Sequence, residues 1–354
     1  MSIERYIRED LRGWQNYQVQ PISGRKMDAN ESPFLLSEEV KEQLSRWILE
    51  QEDLHYYPDT DNTVLREKIG TFYGVDPDWV TCGVGSDQLI DYLCKLFLEP
   101  GDTILVPSPS FSMYQITAQI DHGRAEAFPL DESNDYAFPA EEILKALKDS
   151  KPKMLFLCTP NNPTGQSVED AVLEHILEAA DCIVVLDEAY GEFSEQDHLD
   201  LVRRYPNLVI LKTFSKAYGL AGLRVGYAIA QPELIRGIDT VRAPYNLSTF
   251  SQQAAAFILG RPEYTEHIRW IIGERKRIYE AIQPLEGRQG LYCYPSQANF
   301  LFLRSDLTDL AERLLKKGLL VRAFGGEMKH YIRVSVAEEE ANTLFIESIK
   351  EIFS

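Results

Sequence analysis

The chain has 354 residues, 44% hydrophobic and 26% charged, with a formal net charge of −19. That length exceeds one ordinary hydrophobic core and predicts two domains in one subunit. The acidic balance argues against nucleic acid and anionic membrane as partners, because both demand a basic face.

No apolar run reaches the ~20 residues of a membrane span, and Met1 to Asp10 lacks the apolar core of a secretory signal. A cytoplasmic protein is expected. The cysteines (Cys82, Cys94, Cys158, Cys182 and Cys293) never form Cys-x-x-Cys, and no His-x-x-x-His pair occurs. Reduced, mostly buried thiols and no metal site are therefore expected.

Residues 1–40 carry little periodic apolar sequence and are expected to pack as an N-terminal arm on a smaller C-terminal unit. Residues 41–248 are expected to form the large domain. Within it, strands are predicted at 103–106, 154–158, 183–186, 208–211 and 226–229, and helices at 87–98, 112–120, 141–148 and 168–180. This alternation predicts an α/β fold, a sheet covered by helices on both faces, with ligands gathered at the carboxyl ends of its strands. Residues 249–354 read as a smaller α+β domain. It has a long helical stretch at 251–284 interrupted near Arg261-Pro262, apolar runs at 300–303, 319–322 and 331–336, and helices at 307–317 and from Glu338.

The chemistry-bearing residues fall at the ends of these runs. Gly83-Val84-Gly85-Ser86-Asp87 follows an apolar Trp79-Val80 and opens a helix. Its amides suit an anion, although a plain turn capped by Asp87 fits the same letters. Phe111 can stack on a ring or sit in the core. Thr159-Pro160-Asn161-Asn162-Pro163-Thr164-Gly165 makes a rigid loop at a strand end, from which Asn162 can hold a ring oxygen. Asp187 ends another apolar run, where it can keep a pyridine nitrogen protonated or cap a helix, and Tyr190 can face the same site from a first helical turn. Ser215-Lys216 follows the run 208–211. A lysine there is costly unless its charge is removed or paired, and Schiff-base chemistry with pyridoxal 5'-phosphate removes it. Arg224 stands further on, past small residues and glycines, where it can reach a phosphate.

Together with Ala29-Asn30-Glu31-Ser32-Pro33, Tyr57-Pro58-Asp59, Leu220-Ala221-Gly222-Leu223-Arg224-Val225-Gly226 and Ile332-Arg333-Val334, these motifs run through nearly the whole chain. In that order they resemble the fold-type I pyridoxal-phosphate aminotransferases, and more narrowly the histidinol-phosphate aminotransferase family. The resemblance implies a mixed, mostly parallel seven-stranded sheet in the large domain. It implies that Lys216 binds the cofactor covalently, Asp187 pairs with the ring nitrogen, Asn162 and Tyr190 hold the ring oxygen and Phe111 covers the ring. Gly85, Ser86, Asp87, Ser215 and Arg224 would hold the phosphate, with Tyr57 reaching it from the neighbouring subunit of a homodimer. Arg333 would bind a substrate carboxylate, Arg322 the far anionic group, and Asn30 lies in the segment that closes over the substrate.

The implied reaction moves an amino group from histidinol phosphate to a 2-oxo acid such as 2-oxoglutarate, with the freed Lys216 amine as acid and base. Alternatives on the same scaffold are an aromatic amino-acid aminotransferase and threonine-phosphate decarboxylase, and more remotely a cofactor-binding regulator without catalysis. The chain departs from the family pattern at Gln88, at Ser32 and in a short segment 17–28, which bears on specificity.

Overall fold

The structure is a computed structural model that describes residues 3–14 and 24–354. Its strands are β1 (Arg25–Met27), β2 (Val80–Val84), β3 (Thr103–Ser108), β4 (Arg124–Pro129), β5 (Met154–Cys158) and β6 (Ile183–Asp187), followed by β7 (Leu208–Thr213), β8 (Val225–Ala230), β9 (Tyr292–Tyr294), β10 (Phe300–Arg304), β11 (Leu319–Ala323) and β12 (Tyr331–Ser335). They form a seven-stranded sheet in the order β2-β8-β7-β6-β5-β3-β4 and a five-stranded sheet in the order β1-β11-β12-β10-β9. In the larger sheet β8 runs antiparallel to β2 and β7, while the other pairings are parallel, so the expected mixed, mostly parallel sheet is present.

Helices α1 (Glu38–Glu50), α2 (Thr63–Tyr73), α3 (Gly85–Phe97), α4 (Met113–Ile120), α5 (Ala140–Ser150), α6 (Asp170–Ala179), α7 (Leu199–Arg204) and α8 (Pro232–Val241) precede or connect the strands of the larger sheet. Later come α9 (Thr249–Ile258), α10 (Pro262–Ile282), α11 (Leu310–Lys316) and α12 (Glu339–Ile352). The predicted break at Arg261-Pro262 separates α9 from α10, with Pro262 at the first helical position, where its missing N–H costs nothing.

Strand alternation divides the interior into two cores. Leu155, Leu157, Val184, Leu186, Leu208 and Ile210 pack with α5 and α6 residues such as Ile143, Leu173 and Ile176. Phe156, Cys158, Val185, Val209 and Leu211 pack on the opposite face with Leu89 and Leu93 of α3, Tyr114 of α4 and Ile235 of α8. Strands covered on both faces read as continuous apolar runs, which is why β5, β6 and β7 were visible in the sequence. Strand β4 was not. It is an edge strand whose residues, Phe128 apart, are exposed, so it carries no apolar run.

Several local expectations are corrected. Asp87 does not cap α3: Val84 takes that position and Asp87 lies in the first turn. The Val84 N–H is instead taken by Gln88 Oε1 at 2.8 Å, and the same oxygen accepts from Asn246 at 3.2 Å. No α-helix follows Asp187 directly, and Tyr190 stands at the head of a single 3-10 turn, Gly191–Phe193.

The N-terminal segment divides. β1 joins the five-stranded sheet parallel to β11, and Arg25 is ion-paired with Glu338 and Glu340. Residues 3–14 bury no side chain in their 3-10 turns, and Arg8 donates to the Ile120 carbonyl at 2.8 Å, at the end of α4. Residues 17–23 of the segment 17–28 lie outside the described residues.

Candidate active site

Strands β5, β6 and β7 end side by side, with Cys158 paired to Asp187 and Asp187 to Leu211. Loops 159–165, 188–190 and 214–216 leave from this carboxyl edge, where ligands of such sheets collect. A cavity of about 110 Å³ lies there, lined by Ser86, Asp87, Phe111, Asn162, Asp187, Tyr190, Ser215, Lys216 and Arg224. Phe111, Asn162, Tyr190 and Lys216 also line a larger cavity of about 550 Å³, whose far wall holds Arg322 and Arg333. A separate surface depression beside Trp79 and Arg203 contains none of the predicted residues.

Asp187 is 2% exposed, and each carboxylate oxygen has one donor: the Ala189 N–H on Oδ1 at 3.1 Å and the Tyr114 hydroxyl on Oδ2 at 2.6 Å. Burial pushes the carboxyl up to about 6, and the two hydrogen bonds work against that rise.

On the opposite side, Arg333 Nη1 donates to Asn162 Oδ1 at 2.6 Å. A guanidinium has no acceptor, so this contact fixes the amide orientation and leaves the Asn162 Nδ2 donor for the cavity. Tyr190 is arranged in the same sense. Its hydroxyl accepts from Asn30 Nδ2 at 3.0 Å, which leaves its own proton to donate. Burial pushes that phenol up to about 12 and keeps the proton on it. Asn30 itself is left-handed (φ 55°) and fully buried. Its amide nitrogen donates to Ser335 Oγ, its side-chain oxygen accepts from Ser335, and its carbonyl accepts from Asn299.

The start of α3 and the β7–β8 turn form an anion cradle. The first-turn amides of a helix have no partner within it, and the helix dipole favours negative charge there. Arg224 spans the cradle, donating to Ser215 Oγ at 3.3 Å and to Asp87 Oδ2 at 3.1 Å. Gly85 is left-handed (φ 73°), and a Cβ on it would lie 2.7 Å from Arg224 Nη2. Lys216 Nζ donates to the Ala29 carbonyl at 3.0 Å and lies 5.8 Å from the centre of the Tyr190 ring. Burial, and then the Arg333 guanidinium, push the lysine down to about 8, where an amine is partly neutral at ordinary pH.

The sequence reading missed Tyr114, whose place in an apolar helix looks like core, and a buried ionic cluster behind the site. There Lys212 Nζ meets Glu188 Oε2 at 2.8 Å and Glu192 Oε1 at 3.5 Å, while His198 Nδ1 lies 2.7 Å from Glu188 Oε1. A lysine closing an apolar strand was the available signal. Tyr57 is not brought to either cavity: it is 80% exposed and stacks on Tyr245 with ring centres 4.5 Å apart. Ser32 Oγ accepts from the Phe34 N–H at 3.3 Å.

The family model for aminotransferase class I and II matches residues 24–349. The chain belongs to this family. It is 38% identical to the histidinol-phosphate aminotransferase of Ruminiclostridium cellulolyticum over 99% of both chains. The histidinol-phosphate aminotransferase structure from Clostridium acetobutylicum superposes with a TM-score of 0.83 at 25% identity, covering 92% of this chain and 98% of that one. The structure of the Sinorhizobium meliloti enzyme in complex with pyridoxal 5'-phosphate also gives 0.83 at 25% identity, covering 93% and 92%.

Family members depend on pyridoxal 5'-phosphate, and the residues here fit that group. The cradle offers amides, a hydroxyl and a guanidinium to a phosphate. Asp187 offers a buried carboxylate to a ring nitrogen, Asn162 and Tyr190 offer donors to a ring oxygen, and Lys216 offers a low-pKa amine to an aldehyde. Gly226 sits where β8 passes the cradle, and a Cβ there would lie 2.4 Å from the Gly85 carbonyl carbon. Gly226→Ala is therefore expected to cost about 1–3 kcal/mol by displacing the start of α3. Cofactor retention should weaken with it, and melting curves with and without added pyridoxal 5'-phosphate read both effects.

Proposed function

We propose that the chain is a histidinol-phosphate:2-oxoglutarate aminotransferase, working in the cytoplasm as a homodimer. The observation that carries the substrate is Arg322 on β11 standing directly opposite Arg333 on β12, both on the wall of the larger cavity. Two guanidiniums on one wall suit a pocket that takes a phosphate in one half-reaction and carboxylates in the other. The full-length relatives that carry the histidinol-phosphate aminotransferase name support the same reading.

When bound, pyridoxal 5'-phosphate supplies an electron-withdrawing ring that stabilises negative charge at the substrate Cα. Asp187 would hold the ring nitrogen protonated, and Asn162 and Tyr190 would donate to the ring oxygen. Phe111 would pack against the ring. Ser86 and Asp87 through their amides, Ser215 and Arg224 would hold the phosphate, whereas the Gly85 N–H is given to the Arg224 carbonyl at 3.1 Å. Lys216 Nζ would hold the cofactor's aldehyde carbon and, at the substrate Cα, would serve as the base and acid that moves the proton. Asn30 keeps the Tyr190 hydroxyl aimed, and Arg333 and Arg322 orient the anionic ends of the substrates.

The two sheets are read as two domains, with β1 completing the smaller one and α9, which packs on α2, going with the larger. Tyr57, exposed on one chain, is read as a phosphate ligand of the partner's site, and sedimentation at the mass of a single chain would remove this part of the proposal.

The substrate is tested by giving the purified enzyme histidinol phosphate, phenylalanine or threonine phosphate. Glutamate should form from 2-oxoglutarate chiefly with histidinol phosphate, whereas preference for phenylalanine, or CO₂ release from threonine phosphate, would overturn the assignment. Arg322→Met should raise KM for histidinol phosphate by about 30–100-fold, the loss expected of one charged hydrogen bond.

A further inference from the structure

We propose that Tyr114 is a positioning residue of this site: its hydroxyl fixes the plane of the Asp187 carboxylate and holds it ionised for the cofactor's ring nitrogen. The contact joins α4 to the end of β6, 73 residues apart in the chain, at 2.6 Å between fully buried side chains. The phenol ring is itself held in place. It stacks on Phe156 with centres 4.8 Å apart and takes Phe111 edge-on at 5.5 Å.

A tyrosine and an ionised carboxylate can share only one hydrogen, which the phenol supplies. Burial, and then the Asp187 charge, raise the Tyr114 ionisation far above the usual phenol range, so the hydroxyl is a permanent donor. With the Ala189 N–H on Oδ1 and Tyr114 on Oδ2, rotation of the carboxylate breaks one bond or the other. The other titratable groups around Asp187 all oppose its charge or are neutral. Asp87 and Glu188 raise it further, and the Cys158 thiol is pushed up by burial and holds its proton. Lys216 lines the same cavity but is not among the groups that chiefly shift the Asp187 carboxyl. Tyr114 is thus the side chain that keeps a desolvated carboxylate in its anionic form.

The proposal rests on the reading of Asp187 as the ring-nitrogen partner, but its core is measurable without cofactor. In the full-length, cofactor-free protein carrying isotope-labelled aspartate, the Asp187 infrared band is assigned by its absence in Asp187→Asn. Tyr114→Phe removes only the hydroxyl. Its Asp187 midpoint should lie about 1–2 pH units above the parent's, the shift worth one charge-assisted hydrogen bond. In the holoenzyme the same variant should lower kcat about tenfold or more, with KM for 2-oxoglutarate held within about twofold. Site-specific 3-fluorotyrosine, a stronger donor of the same shape, should move the midpoint the other way, and it carries the test if Tyr114→Phe does not fold. A midpoint unchanged by either substitution overturns the proposal. A shifted midpoint with cofactor absorption and kcat unchanged supports the Tyr114–Asp187 coupling and overturns instead the assignment of Asp187 to the ring nitrogen.

Discussion

Lys216→Ala is expected to abolish transamination, lowering turnover by about 10⁴-fold or more, because in the proposed mechanism the acid–base group at the reacting carbon and the covalent anchor leave together. Lys216→Arg should lose as much, since a guanidinium in this position keeps the charge and the reach but never gives up its proton. The environment supports this division. Burial and Arg333 bring Lys216 down to about 8, whereas Arg224, Ser215 and the α3 amides, proposed to hold the phosphate, are untouched by either substitution. Both variants should therefore still bind the cofactor, noncovalently, as read by melting with added pyridoxal 5'-phosphate. A small primary amine supplied in the buffer should restore part of the rate in Lys216→Ala but not in Lys216→Arg, where the side chain fills the space. Turnover within tenfold of the parent in either variant would sink the mechanism.

Lys212→Met is expected to destabilise the protein by about 3–5 kcal/mol, measured by urea unfolding, without touching the cavity. Lys212 is buried near the end of β7 and is ion-paired with the buried Glu188 and with Glu192, whose side chain is 9% exposed. Burial works against the charge on Lys212, but the two carboxylates outweigh it and raise the lysine well above its usual range. Removing the cation leaves two acids together in a dry interior. Adding Glu188→Gln to Lys212→Met should recover part of the loss, since it removes one uncompensated charge.

The cluster also gives stability a pH dependence. Burial opposes charge on both His198 and Glu188, yet the Glu188 carboxylate raises the histidine, and the Lys212 charge and then the His198 contact lower the acid. The histidine's contribution is then complete below its unfolded value of about 6.5 and fades as pH rises through its folded one; the glutamate's is complete above about 4.3 and fades as pH falls. Unfolding free energies across that range, compared with those of His198→Gln, should show the high-pH loss disappear in the variant.

What was legible beforehand follows from local rules. Short apolar runs mark strands buried on both faces, so β5, β6 and β7 stood out, and the polar residues at or soon after their ends, Asp187 and Ser215-Lys216, announced the edge at which a ligand binds. Edge strand β4 and the three-residue strands β1 and β9 gave no such signal, because exposure or brevity removes the apolar pattern. Gln88 looked like a departure with consequences for substrate, yet its side chain serves the Val84 N–H and Asn246 in the turn ahead of α3.

By itself, the sequence determined the α/β alternation, the order of the motifs and the residue types that suit a pyridoxal-phosphate site, since all of these are written in neighbouring residues. Tertiary structure alone decided the partners. Tyr114 finds Asp187, Arg333 finds Asn162 across 171 residues, Arg322 faces Arg333, and Lys212 turns away from the cavity toward Glu188. Which polar groups meet depends on strand order, on register and on the face each strand turns to its helices. Those are set by the packing of the whole sheet, and periodicity along the chain carries no record of them.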